Sequence, residues 1–158
     1  MTRTVGVTLT VNGEQHTVRV PPFETLLTTL RDRLRLTAAK RGCNQGVCGA
    51  CSVLVSGEPA RACLSLTANC VDRAITTAEG LSNPLALSPL QAAMVRAGAI
   101  QCGFCTPGML VTLTALLQQN KRPCRDEIRT ALSSNLCRCT GYQKIVDAVV
   151  AAIDKSTA

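Results

Sequence analysis

Between Gly42 and Cys63 the chain reads Gly-Cys43-Asn-Gln-Gly-Val-Cys48-Gly-Ala-Cys51, followed after a short strand-like segment and a turn by Cys63. Three cysteines at gaps of four and two residues, with a fourth beyond a hairpin, have the spacing of plant-type [2Fe–2S] ligands. Thiolates are soft, charge-donating ligands, and three from one tight loop with one further anchor can enclose a small anionic cluster. Gly42, Gly46 and Gly49 would let the loop turn tightly and aim N–H groups at sulfur, offsetting the negative charge. Any one of these cysteines could be no more than a small buried apolar residue. Their spacing together with the glycines is what argues for metal.

A second set lies further on, in Gln101-Cys102-Gly-Phe-Cys105-Thr-Pro-Gly108 and Asn135-Leu-Cys137-Arg-Cys139-Thr-Gly-Tyr142. Each cysteine pair falls just before an expected helix. Two helix N-termini meeting at one point would supply unpaired N–H groups and positive dipole ends, which favour thiolates and an anionic cluster. Spacing alone leaves the metal open, because a Cys-x2-Cys pair with a distant second pair is also a zinc arrangement. The Cys-x-Cys pair counts only mildly against zinc; the first site, in the same chain, favours iron–sulfur.

The elements that must position these residues can be read from periodicity. Val5, Val7, Leu9 and Val11 alternate with polar or small neighbours, Asn12-Gly13 is a hairpin turn, and Val18 and Val20 resume the alternation up to Pro21-Pro22. From Thr25 the period becomes helical, with Leu26, Leu27, Leu30 and Leu34 on one face. After the cysteine loop, Ser52–Val55, a turn over 56–59 and a strand from Ala60 to Leu64 carrying Cys63 form a second hairpin, and Ile75–Thr77 adds a last strand. This ββαββ order suits a β-grasp ferredoxin. Turn residues gather over Ala78–Pro84, where strand signals stop.

Four amphipathic helices are expected beyond that boundary. The first opens at Ser88-Pro89 and ends at Gly98, and the second opens at Thr106-Pro107. The third runs from Arg125 to Leu132, and the fourth begins near Gly141 and carries Tyr142, Ile145, Val146, Val149, Val150 and Ile153. The expected fold is therefore α+β: an N-terminal β-grasp plant-type ferredoxin domain over 1–78, then a C-terminal four-helix bundle over 79–158.

A chain of 158 residues accommodates one ordinary domain or two small ones, and small domains often draw on metal or disulfides, which ten cysteines could supply. The N-terminal segment alternates like a strand and shows no apolar export signal, so a cytoplasmic, reducing setting is expected, in which clustered cysteines ligate metal. No apolar run is long enough to span a membrane. The net charge of +7 raises the question of nucleic acid, but two Phe, one Tyr and no Trp leave no stacking platform, and the basic residues are scattered. The charge is better suited to anionic clusters and an acidic partner protein.

The runs Lys40-Arg-Gly-Cys43-Asn-Gln-Gly-Val-Cys48-Gly-Ala-Cys51-Ser-Val-Leu and Cys63-Leu64, with the two second-set motifs, resemble the iron–sulfur part of the molybdenum hydroxylases, the xanthine oxidase family. The likeness runs from about Val5 to Ile153 and is to the separate small subunit of the bacterial three-subunit enzymes. It implies that the second set, Cys102, Cys105, Cys137 and Cys139, also holds [2Fe–2S]. It further implies a large molybdopterin-binding subunit, a medium FAD-binding subunit, and a small subunit that carries electrons between them. By the same resemblance Gln101 and Cys139 contact the pterin, with the second cluster beside it and the first toward the flavin.

Cys70 and Cys124 fall outside both sets, and Cys124 stands where an N-cap Ser or Thr would be expected, as a weak cap or a buried side chain. His16 reads as a surface residue of a strand. Nothing in the chain forms a base or nucleophile arrangement, so substrate chemistry would belong to a partner chain. A free ferredoxin-type carrier is the alternative function, but it needs no helical domain with its own cluster. A zinc-stabilised interaction module, the third reading, would be colourless.

Overall fold

The computed structural model describes residues 3–83 and 85–155. Pro84 of the expected interdomain turn, and the outer ends of the two expected domains at residues 1–2 and 156–158, lie outside the described residues. Strands β1 (Val5–Val11) and β2 (Glu14–Val20) form the first hairpin. Asn12 and Gly13 both have positive φ, 52° and 87°, which matches the turn to the right-handed twist of the strands. Strands β3 (Ser52–Val55), β4 (Glu58–Arg61) and β5 (Ala74–Thr76) complete a sheet of order β2-β1-β5-β3-β4. Among the described residues, β1 and β5 pair in parallel and the other neighbours antiparallel. The second hairpin turns earlier than its sequence indicates. Its strand β4 already includes Pro59, whose missing N–H is tolerated on an edge strand, and it stops at Arg61, which leaves Cys63 in the turn beyond it.

The helix expected from Thr25 is short. Thr25 caps α1 (Leu26–Thr28), which passes into a π-helical segment, Thr29–Arg33, closed by Leu34 N–H on the Thr29 carbonyl at 3.1 Å. The wider turn keeps Leu26, Leu27 and Leu30 buried and Leu34 only partly so. Buried Thr29 donates to Glu24 at 2.7 Å and pairs with the Thr67 hydroxyl at 2.8 Å, while Arg33 forks onto the same carboxylate at 2.6 Å. This polar network, satisfied on every side, ties both ends of the π segment to Glu24, through Thr29 and Arg33.

The helices α2 (Pro89–Arg96), α3 (Thr106–Gln119), α4 (Arg125–Leu132) and α5 (Gln143–Lys155) share one core that includes Met94, Met109, Leu113, Ile128, Leu132 and Ile145. Ser88 and Gln91 cap α2 reciprocally, and Gly98 ends it with a φ of 57°. Two starts differ from the periodicity. Helix α3 begins at Thr106, so Cys105 is its N-cap, and α5 begins at Gln143, which leaves Tyr142 outside at a φ of 66°. Helix α3 is also buried on a second side, where Val111 and Ala115 pack on Leu54 of β3. Burying a side chain such as Leu54 or Val111 is worth about 1.5–3 kcal/mol, so this contact joins the sheet to the helices. Among the described residues no helix is long and apolar enough to cross a membrane.

Candidate metal centres

The eight predicted thiols come together as two sets of four, and within each set as two pairs. In the first, Cys43 pairs with Cys48 and Cys51 with Cys63, with Cys48 also close enough to Cys51 to act on it electrostatically. The loop positions them through left-handed backbone at Asn44, Gly46 and Gly49. Two loop N–H groups, of Cys48 and Gln45, each donate to Cys43 Sγ at 3.4 Å. Those donors, Cys48 first, pull the Cys43 thiol down to about 6. Burial instead pushes Cys51 up to about 11, against the opposing Cys63 N–H and with the Cys63 thiol adding to the rise. A thiol of that kind becomes a thiolate at neutral pH only when metal replaces its proton.

In the second set Cys102 Sγ and Cys139 Sγ are 3.6 Å apart, and Cys105 pairs with Cys137. Two sulfurs bound to one tetrahedral metal at ~2.3 Å lie about 3.8 Å apart, so this separation fits two thiolates on one shared metal ion. Burial, then Cys137, pushes Cys105 up to about 12. At Cys137 burial is outweighed by the Thr140 hydroxyl at 3.0 Å and the Thr140 N–H at 3.4 Å, and the thiol falls to about 7. Cys102 raises Cys139. Among the described residues no three His, Cys, Asp or Glu side chains form a group that could hold a single ion. Paired sulfurs with N–H donors and a close approach permitted by glycine can accommodate a small anionic cluster in each set.

Gln101 and Cys139, the two residues expected to face a pterin, are in contact: Gln101 Nε2–H donates to the Cys139 carbonyl at 3.0 Å. Both are exposed, as is Cys102. Cys70 is buried in the core under the sheet, its thiol on the Leu66 carbonyl at 3.5 Å, and Cys124 is exposed as the N-cap of α4, where its N–H donates to Glu127 at 2.7 Å. Neither joins a thiol set. His16 is partly exposed in β2, 4.0 Å from Glu14.

Residues that join the two sets were not visible in the spacing. Leu136 N–H donates to the Cys48 carbonyl at 2.9 Å. Buried Asn135 donates to the Gly49 carbonyl at 2.9 Å and accepts from Thr112 at 2.8 Å and Ser134 at 3.1 Å. Its own carbonyl accepts from Tyr142 at 2.9 Å, while the Tyr142 hydroxyl accepts from Cys137 N–H at 2.8 Å. Arg61 binds the Gly46 carbonyl, Ser52 and the Ser134 carbonyl. The fit is close: a methyl group on Gly49 would lie 2.3 Å from the Ser134 carbonyl, and one on Gly108 would lie 2.3 Å from the Gly49 carbonyl. An Asn preceding a cysteine motif has no periodicity to announce such a role.

Residues 9–80 match the family model described as a 2Fe-2S iron-sulfur cluster binding domain, and residues 77–150 match that of a [2Fe-2S] binding domain. The chain is 51% identical over 148 residues to the nicotine 6-hydroxylase small subunit of Paenarthrobacter nicotinovorans, covering 94% of this chain and 89% of that subunit. It belongs to the family of small iron–sulfur subunits of the molybdenum hydroxylases. Within that family it is also 43% identical to the nicotinate dehydrogenase small FeS subunit of Eubacterium barkeri, over 96% of each chain. The crystal structure of quinoline 2-oxidoreductase from Pseudomonas putida 86 matches with a TM-score of 0.93 and 44% identity, over 97% of this chain and 95% of that one. As a small subunit of this family the chain serves electron transfer within a heteromeric oxidoreductase and is not a free ferredoxin.

Proposed function

We propose that Cys43, Cys48, Cys51 and Cys63 hold one [2Fe–2S] cluster and that Cys102, Cys105, Cys137 and Cys139 hold a second. The first belongs to a β-grasp ferredoxin-like domain over 1–78 and the second to a four-helix bundle over 79–158. The observation that carries this reading is the meeting of two pairwise thiol sets at one seam, where Leu136 N–H binds the Cys48 carbonyl at 2.9 Å. Such clusters supply one-electron transfer. The chain's own part is to hold the sulfurs in pairs, to offset their charge with the N–H groups of Gln45, Cys48 and Thr140, and to keep the two sets at a constant separation. It is a non-catalytic subunit, with substrate chemistry in a partner.

The partners in this reading are a large molybdopterin-binding subunit and a medium FAD-binding subunit. The exposed edge formed by Gln101, Cys102 and Cys139 supports placing the pterin there, because the Gln101 amide is already held by Cys139 and faces outward. Ten free thiols suit a reducing compartment, which supports cytoplasmic residence. The test begins with the native complex, which should contain molybdenum, FAD and about four iron with four acid-labile sulfide per copy of this chain. In assembled Cys105→Ser complex, substrate should reduce molybdenum but not the flavin. In Cys48→Ser, the bundle cluster should still be reduced while flavin reduction is slow. Rapid-mixing optical and EPR measurements follow each centre; fast flavin reduction in Cys105→Ser, with its cluster confirmed absent, would reverse the proposed order.

A further inference from the structure

Phe104 lies inside the second cysteine set, between Cys102 and Cys105, yet its ring reaches the first set. A methyl group built on Gly42 would sit 2.7 Å from Cys48 Sγ and 3.6 Å from Phe104 Cε1. The sulfur and the ring edge therefore flank the same point, on a face of the first loop that glycine leaves open. Cys48 is also tied to the second set through its backbone carbonyl, which accepts from Leu136 N–H at 2.9 Å. Phe104 is 45% exposed and belongs to none of the three buried clusters. Its ring thus comes within reach of Gly42 in the cysteine loop, outside the buried cores of the molecule.

We infer that Phe104 is a positioning residue for the first cluster: a side chain contributed by the second set that limits water at the Cys48 sulfur and thereby sets the potential and lability of the other site. This rests on reading Cys43, Cys48, Cys51 and Cys63 as a [2Fe–2S] site. Solvent exposure and the apolar shell around a cluster tune its potential. Reduction adds negative charge, which water stabilises better than a ring edge does, so removal of the ring raises the potential of the first cluster. It also opens a path for chelators and oxidants to the Cys48 side.

The experiment uses Phe104→Ala and Phe104→Leu in the full chain, purified in its complex. Iron and sulfide are measured first. A wild-type complex without them contradicts the cluster reading itself, whereas a loaded one tests this inference alone. The two reduced clusters are followed by EPR during a redox titration, the first signal being the one altered by Cys48→Ser. Iron release to a chelator is timed in parallel. Phe104→Ala should raise the potential of the first cluster and release its iron several-fold faster, with Phe104→Leu recovering most of both values because an apolar cover remains. Selective loss of the first cluster during purification of Phe104→Ala counts in favour as well. An unchanged first cluster in Phe104→Ala, a change confined to the second, or equal changes in the Ala and Leu variants would overturn the inference.

Discussion

The two thiol sets reach the same paired arrangement by different means. In the first, Cys43, Cys48 and Cys51 lie within nine residues of one loop, and a turn after β4 brings in Cys63. Its geometry is a backbone property, secured by left-handed residues and by N–H groups of the loop itself. In the second, Cys105 and Cys137 are separated by the whole of α3 and α4. Those pairs meet only because Met109, Leu113, Ile128 and Ile145 pack into one core. A loop-built site should therefore fail through its backbone and a packing-built site through its core, and where they touch, one change should reach both.

The largest effect is expected at that contact. Gly49→Ala places a methyl group 2.3 Å from the Ser134 carbonyl and 2.6 Å from Asn135 Nδ2 at a residue whose φ is 72°. Backbone strain and overpacking together cost roughly 3 kcal/mol or more, enough to lower iron in both sites and the thermal midpoint of the whole chain. Retention of full iron with an unshifted midpoint would show that the seam yields. Single ligand changes come next. Cys48→Ser and Cys105→Ser should each remove about half of the iron, from different sites, as resolved by Mössbauer or EPR spectra. Loss of all iron from either would mean that neither site forms without the other.

A core change sharpens the contrast. Leu113→Ala empties fully buried volume in the core that also holds Cys105 and should cost about 2–5 kcal/mol. Chelator-driven iron loss should accelerate at the second site while the first keeps its wild-type rate. Its counterpart on the sheet side is Glu24. Arg33 holds this carboxyl below its ordinary 4.5 against the opposing effect of burial, with Thr29 assisting. A lowered folded-state value means that the stabilisation is present above the unfolded value and is lost as pH falls through the folded one. Glu24→Gln should cost about 1–3 kcal/mol at pH 7 and flatten the acid side of the stability profile in denaturant titrations, with the helical site unaffected.

Smallest of all should be Cys124→Ser. The exposed thiol is already reciprocally bound with Glu127 at the start of α4, and serine is the better N-cap, so stability should be unchanged or raised by up to about 1 kcal/mol with all iron kept. Cys70→Ser should likewise keep its iron, although a buried hydroxyl costs about 1–2 kcal/mol. Iron analysis of both variants checks that the eight-thiol assignment is complete.

The cysteine spacing, the order of elements and the first hairpin were legible in the sequence, because each is a local pattern: cysteines at fixed gaps, apolar alternation, Asn12-Gly13, and Ser88 before Pro89. It even placed both second-set pairs before helix starts, although one residue late at Thr106, since a cap is read from side-chain type while the α3 start is set by where Cys105 is held. The π-helical turn at Thr29–Arg33 was beyond periodicity, as it depends on Glu24, Thr29 and Thr67 meeting across the fold. So were the second buried side of α3 against Leu54, the Asn135 node, the Leu136–Cys48 hydrogen bond and the reach of Phe104 toward Gly42. Pairing of thiols within each set belongs with them. These are contacts between segments distant in the chain, and only tertiary packing decides which backbone carbonyl, sulfur or ring edge a given side chain meets.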